Sequence, residues 1–377
     1  MKRKQTVAIV LNTSWNIYNF RLGLLKALEK EGYRIVTIAP RDEYSQKLEA
    51  LGYEYHEIKI NNKGTNPIEE IRLIYDFVKL YKEVKPDILL HYTIKPNVYG
   101  SIAADILDIP VITNISGLGT VFLTNSFPSK IAKFLYKVAM RIPKKVFFQN
   151  SDDRELFIAK KLVNSQITAL LAGSGIDTEK FAPPKDAGPS SRPLQFLFIA
   201  RLVKDKGIVE YVEAARLLKE KYPEVEFAIL GAFYPGNPTA IRQEEMHRWV
   251  KEGAVRYLGV RDDVRSVIAA ATCVVLPSYR EGLSRVLLEA SSMAKPIVTT
   301  DVPGCKDVVE DGINGFLCRA KDVKDLANAM EKMLLLPEAK REEMGKRGRE
   351  KAVGEFDEKI VIRHYIDAIK AQIGTNH

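Results

Sequence analysis

The strongest constraint on the fold is an alternation of short apolar runs with amphipathic segments, which continues almost from end to end of the chain. The apolar runs have the length of buried strands, and the segments between them have helical periodicity. Strands joined by crossover helices form a parallel sheet with right-handed connections. The sequence therefore predicts an α/β protein. In the first half, strands are predicted at Val7–Leu11, Ile35–Ala39, Ile88–His91 and Val111–Thr113.

A stretch rich in Pro and Gly, Gly173–Pro193, interrupts this alternation, and the pattern restarts beyond it. A chain of 377 residues is also long for one core. We therefore expect two Rossmann-like domains facing across a cleft, with ligands at the carboxyl ends of the strands. The first domain is expected over residues 1–175 and the second over 176–355. Residues 356–377 are expected to form a helix that crosses back to the first domain.

Composition and cysteine usage exclude several classes of protein. No apolar run approaches the roughly 18–20 residues of a membrane-spanning helix, and Val7–Leu11 is too short for the core of a signal peptide. Cys273, Cys305 and Cys318 lack the spacing of metal ligands, and no D-x-D triplet or carboxylate/His cluster suggests a divalent metal. We expect a cytoplasmic protein with reduced thiols and no metal site.

The most informative local pattern is Ser278-Tyr279-Arg280-Glu281-Gly282, followed by Glu289. It lies between a predicted strand at Val274–Pro277 and a predicted helix at Ser284–Met293. Backbone N–H groups at a helix start attract phosphate, so a carboxylate beside them suits sugar hydroxyls. Eight residues on a helix place Glu281 and Glu289 about 80° apart, which excludes an acid/base pair on one face. The pattern favours a nucleotide-sugar site.

Two further loops of the second half carry candidate cations. Arg201 and Lys206 flank the turn after a predicted strand at Phe196–Ala200, as in a diphosphate clamp. A plain surface loop is the alternative, but the position of Arg201 directly after an apolar strand favours the clamp. Arg261 lies in Tyr257–Val264, a strand and turn that could bracket a flat base, although ordinary turn chemistry explains that segment equally well.

Polar residues follow the first predicted strand at Asn16, Tyr18 and Arg21. Their loop lacks the G-x-G-x-x-G spacing of a dinucleotide site, which counts against NAD or FAD. The three side chains are candidates to face the cleft, and an ordinary capping loop is an equally good explanation.

Two more loops follow later strands of the first half. Lys95 comes after Ile88–His91 and suits an anionic ligand, whereas His91 itself is open between acid–base chemistry and a structural role. Ser116 and Gly117 lie in a Gly-rich loop after Val111–Thr113, which is weak evidence alone and gains weight from its place in this series of loops.

The net charge of +9 is concentrated in the first half. No acidic residue occurs between Asp108 and Asp152, and the segment 129–145 places Lys130, Lys133, Lys137 and Arg141 on one stripe of a predicted helix. Apolar residues are predicted mostly on the other side, at Ile131, Phe134, Leu135, Val138 and Ile142. A solvated surface helix is the ordinary explanation. The long absence of acids favours an anionic membrane surface. Nucleic acid is disfavoured because no groove-binding motif accompanies the charge.

Taken as a pair, R-x4-K-G at Arg201–Gly207 and E-G-x6-E at Glu281–Glu289 resemble family 4 of the retaining glycosyltransferases, which have the GT-B fold. Nearly the whole chain shares the resemblance, including Gly173–Asp177. Ile17–Arg21, Asp42–Leu48 and Pro277–Gly282 are similar to a subgroup that adds an N-acetylhexosamine to an undecaprenyl-diphosphate-linked sugar. Its nearest activity is N-acetylgalactosamine transfer to diphospho-undecaprenol-linked bacillosamine.

The resemblance implies roles for the candidate residues. Arg201 and Lys206 would bind the donor diphosphate, Glu281 the transferred sugar and Glu289 the ribose hydroxyls. The backbone at Gly282, Leu283 and Ser284 would contact the phosphate, with Arg261 near the nucleotide. Lys95, Asn16, Tyr18, Arg21, Ser116 and Gly117 would serve the acceptor.

The implied chemistry is retaining transfer from a UDP-sugar, without a cofactor or metal, to a polyprenyl-diphosphate-linked sugar. The implied location is the inner face of the plasma membrane. Ser116 aligns where many family members have a His near the reacting sugar, so no general base is assigned. Alternatives are a capsule or O-antigen transferase with another hexose donor, a UDP-sugar epimerase or hydrolase of the same fold, and a two-lobed binding or regulatory protein.

Overall fold

The computed structural model describes residues 3–61, 66–117, 134–184 and 193–374. The chain divides into two compact units, one formed by residues 1–174 and 359–377 and the other by residues 175–358. Each unit contains its own parallel α/β sheet, which confirms the predicted fold class of two Rossmann-like units. No helix within the described ranges is long and apolar enough to cross a membrane.

The first unit alternates strands and helices as the sequence predicts. Its elements in chain order are β1 Thr6–Val10, α1 Ser14–Phe20, α2 Leu22–Lys30, β2 Arg34–Ala39, α3 Glu43–Ala50, β3 Glu54–Glu57, α4 Pro67–Val84, β4 Ile88–Tyr92, a π-helical turn Pro96–Gly100, α5 Ser101–Asp105, β5 Val111–Ile115, α6 134–139, β6 Lys145–Phe148, α7 Ser151–Ala159 and β7 Thr168–Leu170. The described strands pair in parallel in the order β3-β2-β1-β4-β5-β6-β7.

The central strands of this sheet are buried along their whole length, as β1, β4 and β5 show. A parallel strand covered by helices on both faces requires such a continuous apolar run. The helices begin at local signals that the sequence carries. The side chain of Asp42 caps α3 by accepting from the backbone N–H of Tyr44 at 2.8 Å, and Pro67 occupies the first turn of α4 behind the capping residue Asn66.

The second unit repeats the same plan after residue 193. Its elements are β8 Gln195–Ile199, a 3-10 turn Lys204–Lys206, α8 Ile208–Lys221, β9 Glu226–Leu230, α9 Gln243–Lys251, β10 Arg256–Tyr257, α10 Arg265–Ala270, β11 Cys273–Leu276, α11 Arg285–Ser292, β12 Ile297–Thr300, β13 Gly315–Cys318, α12 Val323–Leu335 and α13 Glu338–Glu355, and α14 Glu358–Ile373 follows. The described strands pair in parallel in the order β10-β9-β8-β11-β12-β13.

Helix α14 packs on the first unit. Its buried residues Val361, Tyr365 and Ile369 are spaced four apart, so they form one face of the helix. The Tyr365 ring lies 5.1 Å from the ring of Phe147 on β6, and its hydroxyl accepts a hydrogen bond from Nδ2 of Asn114 at 2.9 Å. The core of the first unit therefore contains side chains from the last helix of the sequence.

Candidate active site

In the second unit, three loops meet at the carboxyl ends of β8, β11 and β12. The backbone N–H of Tyr279, after β11, donates to the carbonyl of Asp205, after β8, at 2.9 Å. The backbone N–H of Glu281 donates to the carbonyl of Pro303, after β12, at 3.0 Å. The loop that carries Glu281 is thus held on both sides by its neighbours.

Two glycines allow these loops to approach closely. Gly207 has φ +74°, and a Cβ at this position would lie 2.0 Å from the carbonyl oxygen of Pro277. Gly304 has φ +79°, and its Cβ would lie 2.6 Å from the backbone carbonyl of Glu281. Both positions exclude a side chain through space and backbone angle together.

Lys206 and Glu281 form an ion pair across 75 residues of sequence. Their side chains are only 19% and 13% exposed. The structure therefore brings together the predicted phosphate cation and the predicted sugar carboxylate. Cys305 lies next to this pair, and burial, with the charge of Glu281 as a further cause, raises the pKa of its thiol to about 12. Cys305 is thus a protonated packing residue beneath the site.

Helix α11 begins after its N-cap residue Ser284 and carries Glu289 little more than one turn further on. Burial raises the pKa of the Glu289 carboxyl, and the positive charge of Arg285 opposes that rise. Nε of Arg285 lies 3.1 Å from Oε1 of Glu289, and Nη1 of Arg285 donates to the carbonyl of Gly175 at 2.6 Å. The sequence analysis missed Arg285, although its i, i+4 spacing to Glu289 on a predicted helix was a visible signal.

The remaining predicted donor residues lie at the same edge of the sheet. Arg201 is exposed after β8, and its guanidinium lies 4.9 Å from the ring centroid of Tyr234. Among the described residues Arg201 makes no ion pair, so it does not share the contact of Lys206 with Glu281. Arg261 is exposed, and the nearby Gly259 carbonyl accepts from the N–H of Gly231 at 2.9 Å.

Two more predicted donor residues, Gly282 and Leu283, are half-buried between Glu281 and Ser284. No group of three or more His, Cys, Asp or Glu in the described ranges is arranged to hold a metal ion.

In the first unit, two of the predicted acceptor residues already contact other side chains of the unit. Nζ of Lys95 lies 2.6 Å from Oε1 of Glu70, and both side chains are largely buried, so the charge of Lys95 is neutralised within the unit. Tyr18 packs against Tyr44, with ring centroids 5.6 Å apart. Its ring therefore contributes to the contact between α1 and α3.

Two polar side chains near the carboxyl end of β1 each have a buried atom without a hydrogen-bond partner among the described residues. Oδ1 of Asn16 is fully buried without a hydrogen bond. Arg21 is 5% exposed and stacks over the ring of Tyr92, with Cζ 4.2 Å from the centroid. After β5, Ser116 is exposed and Gly117 is half-buried with φ +124°. The residues that follow them in the Gly-rich loop lie outside the described ranges.

His91, whose role the sequence leaves open, lies in the core of the first unit. It is completely buried, with Nε2 3.0 Å from the hydroxyl of Tyr81 and Nδ1 3.2 Å from the hydroxyl of Ser101. Burial lowers the pKa of the imidazole to about 3. A neutral ring held by two hydroxyls supports the structural reading of His91 over acid–base chemistry.

The basic segment differs from its predicted form. Helix α6 covers 134–139 of the predicted 129–145, and residues 129–133, including Lys130 and Lys133, lie outside the described ranges. Lys137 and Arg141 are exposed as expected. Phe134 and Val138, predicted on the opposite side from the cations, are also exposed, at 64% and 40%. The buried side of the helix consists instead of Tyr136 and Ala139.

Family models match both halves of the chain. A "Glycosyl transferase 4-like" model matches residues 6–150, and a "Glycosyl transferases group 1" model matches residues 180–351. Together they cover every described strand except β7, and all of the candidate site residues.

Similar proteins extend over most of the chain. An N,N'-diacetylbacillosaminyl-diphospho-undecaprenol alpha-1,3-N-acetylgalactosaminyltransferase of Campylobacter jejuni is 29% identical over 367 residues, covering 93% of this chain and 94% of that protein. A UDP-Gal:alpha-D-GlcNAc-diphosphoundecaprenol alpha-1,3-galactosyltransferase of Escherichia coli is 27% identical and covers 70% of each chain. Among solved structures, HepE of Anabaena in complex with UDP and glucose superposes with a TM-score of 0.78 at 20% identity, over 97% of this chain and 99% of that chain.

Proposed function

We propose a specific reaction for this chain, which is a glycosyltransferase of the GT-B fold. The proposed donor is a UDP-linked N-acetylhexosamine, N-acetylgalactosamine in the first instance. The proposed acceptor is an undecaprenyl-diphosphate-linked sugar of bacterial glycan assembly. The observation that carries the proposal is the end-to-end similarity to the Campylobacter jejuni N-acetylgalactosaminyltransferase.

The loop geometry of the second unit supports the proposed donor site. Lys206 and Glu281 are in contact, so a diphosphate bound by Lys206 would place its sugar beside Glu281. The start of α11, at Gly282, Leu283 and Ser284, would receive phosphate oxygens through backbone N–H groups. Glu289, about one turn further along α11, would accept hydrogen bonds from the ribose hydroxyls.

Two exposed arginines complete the proposed donor site. Arg201 projects from the neighbouring strand end, which suits a second contact to the diphosphate. Arg261 follows the turn beside β9 and β10, where a uracil ring would fit. Neither guanidinium makes an ion pair or a hydrogen bond with the described residues that would compete with a ligand, and the only contact of Arg201 noted above is with the ring of Tyr234.

The proposed mechanism is transfer with retention of configuration. The bond between the anomeric carbon and the phosphate oxygen breaks, and a hydroxyl oxygen of the acceptor bonds to that carbon from the same face. The leaving phosphate oxygen accepts the proton of the attacking hydroxyl, so no separate general base is assigned. Lys206 and Arg201 would stabilise the charge that develops on UDP, which is the main catalytic device in this scheme.

The acceptor is assigned to the first unit, through Lys95, Asn16, Tyr18, Arg21, Ser116 and Gly117. The membrane contact is assigned to the basic segment 129–145, at the inner face of the plasma membrane. Phe134 and Val138 are exposed beside the exposed Lys137 on α6. This supports the assignment, because apolar groups beside cations suit an anionic bilayer surface.

A second helix strengthens the membrane assignment. The outward face of α4 carries Ile68, Ile71 and Tyr75, which are 78%, 68% and 67% exposed. At 100° per residue, the exposed cations Arg72, Lys79 and Lys82 lie on the same face. Helices α4 and α6 bury their inner sides in one core cluster, so they cover the same face of the sheet. We include α4 in the proposed membrane surface.

The proposed reaction is tested with a panel of radiolabelled UDP- and GDP-sugars and a polyprenyl-diphosphate-sugar acceptor in detergent. Labelled product in the organic phase with UDP-N-acetylgalactosamine is the expected result. Product only with another hexose donor would indicate the capsule or O-antigen alternative. Conversion of UDP-sugar without acceptor would indicate an epimerase or hydrolase, and the absence of lipid-linked product from every donor would refute the proposal.

A further inference from the structure

Arg21 is a buried cation that forms no ion pair with the described residues. The residue is 5% exposed, and its guanidinium makes no hydrogen bond or ion pair with any residue in the described ranges. Nε is fully buried and unpartnered. The terminal nitrogens, Nη1 and Nη2, are not fully buried, so they keep contact with solvent.

No carboxylate side chain of this unit is available to complete the pair. The residues of the unit outside the described ranges contain no Asp or Glu. The ring of Tyr92, 4.2 Å from Cζ, offers a cation–π contact. That contact attracts the charge but leaves the N–H donors unsatisfied, and a buried charge without hydrogen bonds is costly.

Other polar groups converge on the same edge of the sheet. Tyr92 ends β4, and its ring centroid lies 5.9 Å from that of Tyr365, whose hydroxyl accepts from Asn114 on β5. Asn97 donates to the carbonyl of Asn114 at 2.9 Å, yet Oδ1 of Asn97 is buried without a partner. Among the described residues, the edge formed by β1, β4 and β5 thus combines buried polar atoms that make no hydrogen bond with one cation that makes no ion pair.

Lys95 does not fill this role in the structure. It follows the same strand, β4, but its ammonium is already paired with Glu70. An anion at this edge would therefore meet the guanidinium of Arg21 as an unneutralised charge.

We propose that the guanidinium of Arg21 is an anion subsite of the phosphate class, occupied by the diphosphate of the lipid-linked acceptor. Naming the acceptor as the source of the phosphate rests on the proposed function. A planar guanidinium presents two parallel N–H donors that match two phosphate oxygens. Binding would supply hydrogen bonds that the guanidinium does not make with the described residues, so acceptor binding stabilises the folded protein through this residue.

The test measures the melting temperature of wild-type protein, Arg21→Met and Arg21→Lys, each with inorganic pyrophosphate, geranyl diphosphate or UDP. Arg34→Met is the matched control, because Arg34 in the same unit is half-exposed and already paired with Glu54 at 2.6 Å. We expect pyrophosphate and geranyl diphosphate to raise the melting temperature of wild-type protein and of Arg34→Met by about 3 °C or more. Arg21→Met should lose that response, and Arg21→Lys should keep part of it.

The melting temperature without ligand separates a binding role from a structural one. Removing an unpaired buried charge should leave the melting temperature of Arg21→Met equal to or above wild type, whereas Arg34→Met should melt lower. A lower melting temperature for Arg21→Met, or an anion response equal to wild type, overturns the proposal. So does loss of the UDP response in Arg21→Met, because it would identify the donor as the source of the phosphate. If Arg21→Met does not fold, a full anion response in Arg21→Lys with unchanged affinity overturns it, and weaker binding by about tenfold supports it.

These measurements do not depend on sugar transfer. If wild-type protein transfers no sugar in the donor panel but still shows the Arg21-dependent response to geranyl diphosphate, the proposed function fails and the anion subsite stands. If transfer is observed and the response to geranyl diphosphate is absent, the proposed function stands and the anion subsite fails.

Discussion

Nε of Arg285 lies 3.1 Å from Oε1 of Glu289, one turn further along α11. The pair is largely buried, with the two side chains 24% and 13% exposed. Arg285 also holds the carbonyl of Gly175, so one side chain fixes both the proposed ribose-binding carboxylate and the segment where the second unit begins. The pairing keeps Glu289 oriented, and it opposes the rise in pKa that burial causes.

Replacing Arg285 by Met should weaken UDP binding by about tenfold at pH 7, because the carboxylate loses its orienting partner, a loss of about 1–3 kcal/mol. The pKa of Glu289 should also rise further. Because UDP binding requires the ionised carboxylate, the pH above which binding becomes strong should be higher in the variant than in wild type. Calorimetric titration of UDP across pH 5–8 measures both effects. Equal affinities and equal pH dependence would remove Arg285 from the donor site.

Lys206→Met and Glu281→Gln should each lower kcat/KM for transfer by about 100-fold or more while the protein stays folded. The two residues contact each other, so their effects should not add. A double-mutant cycle should give a coupling energy of about 1–3 kcal/mol. Lys351→Met is the control, because Lys351 forms a comparable pair with Glu310 at 2.8 Å in the same unit and should leave transfer unchanged. Additive losses would show that the two residues act independently.

Gly207→Ala should destabilise the second unit by about 3 kcal/mol or more, because positive φ and a clash with a backbone carbonyl act together. Gly253→Ala is a matched control, since Gly253 has the same φ of +74° with no atom within 4 Å of the added Cβ. It should cost only about 1 kcal/mol. Urea unfolding of both variants measures the difference. Similar losses would show that the approach of the two loops does not require glycine.

Two sets of substitutions separate the apolar and charged contributions to membrane binding. Replacing Ile68, Ile71 and Tyr75 by Gln should weaken binding to anionic vesicles by about tenfold or more without changing its salt dependence. Replacing Lys137 and Arg141 by Gln should weaken binding and also reduce its salt dependence. Leu51→Gln is the control, because Leu51 is 52% exposed after α3. Vesicle sedimentation at two salt concentrations measures these effects.

Unchanged binding in both sets would return α4 and α6 to the role of ordinary surface helices. Self-association of wild-type protein that the α4 substitutions abolish, without any change in vesicle binding, would instead indicate that this face binds a second copy of the chain.

His91 should make the stability of the protein depend on pH. The pKa of its imidazole is lowered from 6.5 to about 3 in the folded protein, so the unfolded chain takes up a proton between these values and the folded protein does not. Stability therefore falls as pH drops below about 6.5. Between pH 7 and pH 5 the loss should be about 2 kcal/mol.

The contribution of His91 is isolated by comparing His91→Gln with His364→Gln, an exposed histidine on α14. Urea unfolding at pH 7 and pH 5 should show a reduced pH dependence in the first variant and a wild-type dependence in the second. A wild-type dependence in both variants would contradict the assignment.

The sequence predicted the fold class because both halves repeat strand-length apolar runs. It could not predict pairings between distant residues. The contact of Lys206 with Glu281 depends on two loops meeting at one sheet edge. The neutralisation of Lys95 depends on Glu70, which lies 25 residues earlier on α4.

Helix α4 shows a second limit. Its apolar residues occur on almost every face, so periodicity does not separate the buried Leu73 and Phe77 from the exposed Ile68 and Tyr75. Burial decides between them, and burial is a property of the packed structure. The same limit explains why Phe134 and Val138 were assigned to the wrong side of the basic helix.

The return of α14 to the first unit orders events during synthesis on the ribosome. The described strands of the first sheet have all been made once residue 170 is reached, but their core lacks Val361, Tyr365 and Ile369 until α14 has been made. The side chain of Gln5 likewise waits for the carbonyl of Ile373, to which it donates at 2.6 Å. The second unit, which is contiguous in sequence, can fold first, while the first unit leaves an apolar groove open until α14 emerges to fill it.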